Sequence, residues 1–357
     1  MKYIISAGGT GGHIYPALSI INKIKEKDKK AEFLYIGTTD RMEKDIVPNL
    51  GIEYIGIEIS GISKNIKKLI RFFTGTVFGT KKCEKIMKRF KPDIVIGVGG
   101  YVTFPVILAA KKQKVKVILH EQNSIPGKAN KFLSKYAETI CISMESSRKY
   151  FEHKNIVLTG NPRGEDILNS KKGNKKDYDL SLTKKLVLIT MGSLGAGTIN
   201  EKIVSLVNEF DNKNYEVLLV TGKNNYDEVK NVKVPKNVKL VPYIENMGEV
   251  LKFTDLIITR AGATILAEIT ALGIPSIIIP SPYVANNHQV INARDLESNG
   301  AAFVIEEKDF EKDLFISKID EVLGNNKVYK EMSDNTKKIG ITDSATRIYN
   351  EIEMLTK

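Results

Sequence analysis

The segment "YIISAGGTGGHIYPALSIINKI", Tyr3 to Ile24, ends an apolar run in Gly8, Gly9, Gly11 and Gly12 and then sets His13 at the start of a helical pattern. A glycine turn that opens a helix lets backbone N–H groups approach a phosphate, and the helix N-terminus adds partial positive charge there. An imidazole beside such a turn is placed to take a proton from an attacking hydroxyl. The competing reading of the same residues is a tight turn and a helix cap with no ligand. Dinucleotide binding is disfavoured because Ile14 stands where the third glycine of that fingerprint belongs, and no Gly-Lys-Ser/Thr supports an ATP loop.

Further clusters of glycine and polar residues follow apolar runs. They are "GVGGYVTFP" (Gly97–Pro105), "HEQNSIPGKAN" (His120–Asn130), "GSLGAGT" (Gly192–Thr198), "TRAGATILAE" (Thr259–Glu268) and "PSPYVANNHQVINA" (Pro280–Ala293). Strand ends followed by such loops are where α/β folds carry their sites. His120 and Glu121 open the second cluster and are alternative candidate bases.

The elements that must hold these loops alternate. Short β-rich runs ("YIISAGG", "EFLYIGTT", "DIVIGVGG", "VKVILHEQ", "TICIS", then "LVLITMG", "YEVLLVTG", "VKLVPY", "DLIITRAG", "PSIIIP") are separated by helical patterns. That is the βαβ signature of parallel sheets covered on both faces. After Thr198, apolar Ile199, Ile203, Leu206, Val207 and Phe210 fall at helical spacing. Strand, glycine loop and helix occur at the start of each half. The expected fold is therefore α/β, with two doubly wound Rossmann-like domains facing a central cleft. "TGNPRGED", Thr159 to Asp166, has the punctuation of a join, giving domains at 1–160 and 164–340.

Composition sets the bounds. A chain of 357 residues, 42% hydrophobic, is long enough for two cores. Nothing resembles a secretory signal or an uninterrupted apolar span, so a cytosolic protein is expected. Cys83 and Cys141 are far apart, lack metal-ligand spacing and suit a reducing compartment. The formal charge of +12 favours anionic partners such as nucleic acid, lipid headgroups or phosphorylated small molecules, though much of it reads as solvated lysine.

"GGTGGHIYPA" with "HEQNSIPGKAN", the Gly-Asn-Pro of 160–162, and "AGATILAE" followed by "HQVINA" resembles the MurG family over nearly the whole chain. That family comprises two-domain transferases of GT-B architecture that move N-acetylglucosamine from UDP to undecaprenyl-pyrophosphoryl-N-acetylmuramoyl-peptide. The resemblance implies that the donor contacts Ser193 (phosphates), the Ile244 backbone (uracil), Ala263, Thr264, Ile265, Leu266 and Ala267 (uridine pocket), Glu268 (ribose) and Gln289 (sugar). It also places Thr10, Gly11, Gly12 and Asn123 near the donor sugar, Gly99, Gly100 and Tyr101 near the acceptor, and the helix at 343–357 back on the first domain. Arg163 is a candidate phosphate ligand, but here it directly follows Pro162, whereas some members carry the arginine one residue later. His13 would be the base of an inverting displacement. No metal and no cofactor is expected: the one Asp-x-Asp, Asp177–Asp179, lies in a lysine-rich loop.

A polyprenyl acceptor keeps the reaction at a membrane. "KNIKKLIRFFTGTVFGTKK", Lys64 to Lys82, interleaves lysines and Arg71 with Leu69, Ile70, Phe72, Phe73, Val77 and Phe78, the composition of an interfacial segment on the cytoplasmic membrane surface. A core-packed helix with a solvated face is the alternative. The rival functions are a related transferase with another acceptor, a UDP-sugar 2-epimerase of the same fold, and a basic scaffold; nucleic acid is not expected as a partner.

Overall fold

In the computed structural model, which describes residues 1–61, 66–192 and 197–357, the chain divides into two compact units. The first comprises Met1–Asp166 and Asp343–Lys357, the second Ile167–Thr342.

The first unit is built on seven strands: β1 (Lys2–Ala7), β2 (Glu32–Thr38), β3 (Glu53–Ile57), β4 (Ile94–Gly99), β5 (Lys116–Glu121), β6 (Thr139–Ile142) and β7 (Ile156–Leu158). All pair in parallel, in the order β3-β2-β1-β4-β5-β6-β7. Parallel strands with helices on both faces bury nearly every side chain, which is why β1 and β4 read as near-continuous apolar runs. Alternation sorts them: Ile4 joins Val95, Val106, Ile107 and Cys83 on one face, while Tyr3 and Ile5 join Ile14, Ile21 and Ile348 on the other. Helices α1 (Gly11–Lys27), α2 (Glu43–Asn49), α3 (Ile66–Phe90), α4 (Thr103–Gln113) and α5 (Lys128–Leu133) connect the strands. Helix Ser344–Thr356 buries Ala345, Ile348 and Ile352 and packs on α1. Its start is pinned by Ser344 Oγ–H donating to Asn161 O at 2.7 Å and by Thr346 donating twice to Glu165.

The second unit has β8 (Lys185–Thr190), β9 (Tyr215–Val220), β10 (Val238–Val241), β11 (Leu256–Thr259), β12 (Ser276–Ile278) and β13 (Ala302–Val304), parallel in the order β10-β9-β8-β11-β12-β13. The helical spacing after Thr198 gives a helix only to Ser205, and a 3-10 turn, Val207–Phe210, carries the rest; Ile199, Ile203, Val207 and Phe210 are buried as their period requires. Strands β3, β7 and β13 were absent from the expected set.

The interfacial reading of α3 needs one correction. Phe72 is 5% exposed and its ring meets Phe104 edge-on, so it is a core residue. Among the described side chains of this helix, Ile70, Phe73, Val77 and Phe78 are exposed apolar ones. The side chains of Leu69 and Arg71 lie outside the described residues. Among those described, no helix is long and apolar enough to cross a membrane.

Candidate active site

In each sheet the strand order reverses once, between β1 and β4 and between β8 and β11. The crevice beyond the carboxyl ends of such a strand pair is the default ligand position of open α/β sheets. The glycine loops lie there in both units.

After β1 the chain turns through Gly9, at φ 94°, and Thr10 caps α1 through its carbonyl, which accepts from His13 N–H and Ile14 N–H. Two glycines, the last of β4 and the residue after it, let this turn sit close. Gly8 N–H donates to Gly99 O at 3.2 Å, and a Cβ on Gly100 would stand 2.4 Å from Gly8 O. Gly99 and Gly100 have φ 123° and 92°, where only glycine is unstrained. His13 Nδ1 lies 3.1 Å from Gly8 O. A carbonyl only accepts, so this nitrogen carries the proton, and in the neutral ring Nε2 bears the lone pair. The Nε2 edge of the ring lies against Gly99, as a Cβ there would be 2.9 Å from Nε2. Gly11 and Gly12 form the first turn of α1. Tyr101, exposed beside this turn, packs edge-on to Phe72 and closely against Gly61.

His120 and Glu121, the alternative bases, are both buried, at 0% and 2% exposed. His120 Nε2 is 3.1 Å from Gly160 O, and its Nδ1 is 3.0 Å from Gln122 Nε2. Burial, only partly offset by the Gly160 bond and reinforced by nearby His13, pushes its pKa down to about 4. The Glu121 carboxylate is the peg of the loop after β5. It accepts from Asn123 N–H, Asn123 Nδ2, Gly127 N–H and Asn130 Nδ2 at 2.9–3.3 Å. Asn123 is thereby held at the mouth of β5. Arg163 forms an ion pair with Asp166.

In the second unit, Gly192 (φ 92°) leads from β8 into 193–196; the expected phosphate contact at Ser193 therefore lies outside the described residues. After β11, Gly262 caps helix Ala263–Leu272. The approach is held from two sides. The Arg260 guanidinium donates to Ile279 O at 3.0 Å and pairs with Glu307, and buried Asn292 donates to Ala261 O at 3.0 Å. Thr264, Ile265 and Ala267 are partly exposed, whereas the Leu266 side chain is in the core, leaving only its backbone to line a pocket. Glu268 is 5% exposed and Ile244, in the loop after β10, 3%. Gln289 Oε1 accepts from Ser281 N–H at 2.8 Å, which fixes its amide. Sequence reasoning missed the bracing roles of Arg260 and Asn292; both stood inside quoted motifs, and for Arg260 the position at a strand end was the available signal.

Comparison with known proteins matches residues 3–142 to the glycosyltransferase family 28 N-terminal domain and 186–348 to its C-terminal domain. A Bacillus cytotoxicus protein named UDP-N-acetylglucosamine–N-acetylmuramyl-(pentapeptide) pyrophosphoryl-undecaprenol N-acetylglucosamine transferase is 45% identical over 100% of both chains. The crystal structure of Acinetobacter baumannii MurG superimposes with a TM-score of 0.79 at 26% identity, over 99% of each chain. A putative UDP-N-acetylglucosamine 2-epimerase from Listeria monocytogenes shares the fold alone, at 14% identity and a TM-score of 0.73 over 99% of this chain and 95% of that one. Full-length identity and both domain matches agree: the chain belongs to the MurG family of N-acetylglucosamine transferases, within glycosyltransferase family 28.

Proposed function

We propose that the protein transfers N-acetylglucosamine from UDP to the 4-hydroxyl of the N-acetylmuramoyl-peptide carried on undecaprenyl pyrophosphate, making the lipid-linked disaccharide used in peptidoglycan synthesis. The observation that carries the chemistry is the His13 ring at the β1–β4 reversal, with Nδ1 protonated against Gly8 O and Nε2 left as the basic nitrogen.

In this reading the acceptor is held by the first unit, its pyrophosphate at the Thr10–Gly12 loop, Gly99–Tyr101 and the turn that starts at His120–Asn123. Nε2 of His13 takes the proton of the 4-hydroxyl as that oxygen attacks the anomeric carbon. One displacement breaks the bond to UDP and inverts the α-linked donor to a β product. The second unit holds the donor: the Ile244 backbone at the uracil, the Ala263–Ala267 turn around the uridine, Glu268 at the ribose diol and Gln289 at the sugar. A buried ionised carboxylate is acceptor-only and suits two hydroxyls. Thr10, Gly11, Gly12 and Asn123 approach the donor sugar. Charge growing on the leaving pyrophosphate is met by the Ser193 loop, by the helix N-terminus that follows it and by Arg163, without a metal. The protein works peripherally on the cytoplasmic face of the membrane, through Ile70, Phe73 and Phe78 with the surrounding lysines.

Purified protein mixed with labelled UDP-N-acetylglucosamine and a short-chain analogue of the lipid acceptor, in chelator, tests this directly. A β-linked disaccharide is expected, along with a His13→Ala variant that binds donor but has lost most of kcat. Conversion of UDP-sugar in the absence of acceptor would instead identify an epimerase, and turnover abolished by chelator would end the metal-free mechanism.

A further inference from the structure

A buried carboxylate that the proposed reaction does not use lies beneath the glycine turn. Glu43, the first residue of α2, is 0% exposed. Its Oε1 accepts from Thr38 N–H at 3.1 Å and Thr38 Oγ1–H at 2.7 Å, and its Oε2 accepts from Gly9 N–H at 3.3 Å. Two glycines make the space: a Cβ on Gly8 would stand 2.4 Å from Oε1, and one on Gly37 2.7 Å from the Glu43 Cγ. All three donors are neutral groups. A carboxylate buried among neutral donors is costly next to an apolar side chain of the same volume, so packing alone does not account for it.

What it touches does. Gly9 N–H and Gly8 C=O are the two ends of one peptide group. One end donates to Glu43 Oε2, and the other accepts from His13 Nδ1–H at 3.1 Å. The hydrogen bonds therefore run without a break from carboxylate through peptide to imidazole. Such chains polarise one another: negative charge at the N–H end drives electron density onto the carbonyl oxygen and makes it a better acceptor. A stronger acceptor at Nδ1–H fixes the tautomer and makes the opposite ring nitrogen more basic, as a carboxylate in direct contact with a histidine would.

We propose that Glu43 is a positioning residue that acts on His13 through the Gly8–Gly9 peptide, holding the ring in its Nδ1–H tautomer and raising the proton affinity of Nε2. The catalytic consequence rests on His13 being the base. Three titratable groups beside this chain, two tyrosines and a histidine, stay neutral as it works. Tyr35 on β2 and Tyr54 on β3 have hydroxyls pushed up by burial and then by the Glu43 charge. Asp40 and Asp45 act on Tyr54 in the same direction. His120, beside His13, is held uncharged down to about pH 4.

Glu43→Gln keeps the shape and removes the charge. The expected result is that the acid limb of kcat/KM moves to lower pH by about half a unit or more. In parallel, kcat falls roughly tenfold to a hundredfold, with the donor KM within about threefold. Nitrogen NMR of ring-labelled histidine in the substrate-free protein then shows a mixed tautomer and a lower titration midpoint for His13. If that variant does not fold, the wild-type protein supplies the test: the Gly9 amide resonance must move in step with the titration of His13. An unchanged tautomer and midpoint in Glu43→Gln, or a Gly9 amide indifferent to the His13 titration, overturns the proposal. A His13→Gln variant that keeps its kcat overturns the base assignment and the catalytic consequence with it; the NMR result alone decides whether the peptide couples the two side chains.

Discussion

Replacing Gly99 with alanine strikes the His13 ring directly. The added Cβ would lie 2.7 Å from His13 Cδ2 and 2.9 Å from Nε2, where ordinary contact begins at 3.4 Å. The ring must retreat by about 0.7 Å, and with Nδ1 tied to Gly8 O it does so by tilting. Moving a reacting group by about 1 Å costs on the order of a hundredfold in rate, so a loss of tens of fold in kcat is expected. Alanine at φ 123° also costs about 1–3 kcal/mol of stability, which by itself says nothing about the ring. Gly51→Ala separates the two effects, since Gly51 has φ 70° with nothing within 4 Å of an added Cβ and lies in the turn between α2 and β3. Urea unfolding should show comparable losses for the two variants. Steady-state kinetics with the short-chain acceptor should show Gly51→Ala within about twofold of the wild type and Gly99→Ala tens of fold slower. If Gly99→Ala kept kcat within threefold while paying the same unfolding penalty, the ring would not be where the reaction needs it.

Other perturbations separate core from surface and charge from packing. Phe72→Ala should lower unfolding free energy by about 3–5 kcal/mol. Phe73→Ser with Phe78→Ser should change it by less than about 1 kcal/mol and yet weaken flotation with anionic vesicles several-fold; the opposite pattern would reverse the assignment of faces. His120 is held neutral in the fold with its pKa near 4, against 6.5 when free. The unfolded chain therefore binds the extra proton first, and stability should fall as pH drops from about 6.5 towards 4, by up to about 3 kcal/mol. His120→Gln should flatten that slope in urea titrations at successive pH values. Lys23, mostly buried, pairs with Glu165 at 2.8 Å. Burial raises the Glu165 pKa, but the bonds from Lys23 and Thr346 outweigh it and hold the carboxyl below its ordinary range. Lys23→Gln should cost about 3 kcal/mol at neutral pH, with the gap to wild type closing as Glu165 protonates; a gap independent of pH would mean the loss is packing.

What could be read from the residues follows from how far each signal reaches along the chain. Strands such as β1 and β4 announce themselves because a doubly covered parallel strand is nearly all apolar and here runs into a glycine. β3, β7 and β13 escaped because an edge strand or a three-residue strand has too few buried positions to make a run: β3 reads "EYIGI" and β13 only "AFV". Phe72 and Phe73 are alike in composition, and only helical phase parts them. Phe72, Cys83 and Ile86 share the buried face, a pattern visible once the helix is carried on to Phe90. Glu43 gave no signal at all. Its partner Gly9 is 34 residues away, and no local pattern joins them. The loops that carry the candidate site were legible as glycine clusters after strands, but which residues touch ligand and which merely brace the turn was not. Glu121, read from sequence only as an alternative base, also accepts from four donors that hold its loop, which no local pattern announces.

The seat that α1 offers to Ile348 and Ile352 has a consequence for synthesis on the ribosome. When residue 166 has been made, the first sheet is complete in sequence, yet the helix that covers part of α1 is not translated until residues 167–342 have followed. At about 5–20 residues per second that interval lasts roughly ten to thirty seconds. For that time the nascent protein carries an uncovered apolar groove, a target for chaperones in the cell and a route to misassembly when translation stalls.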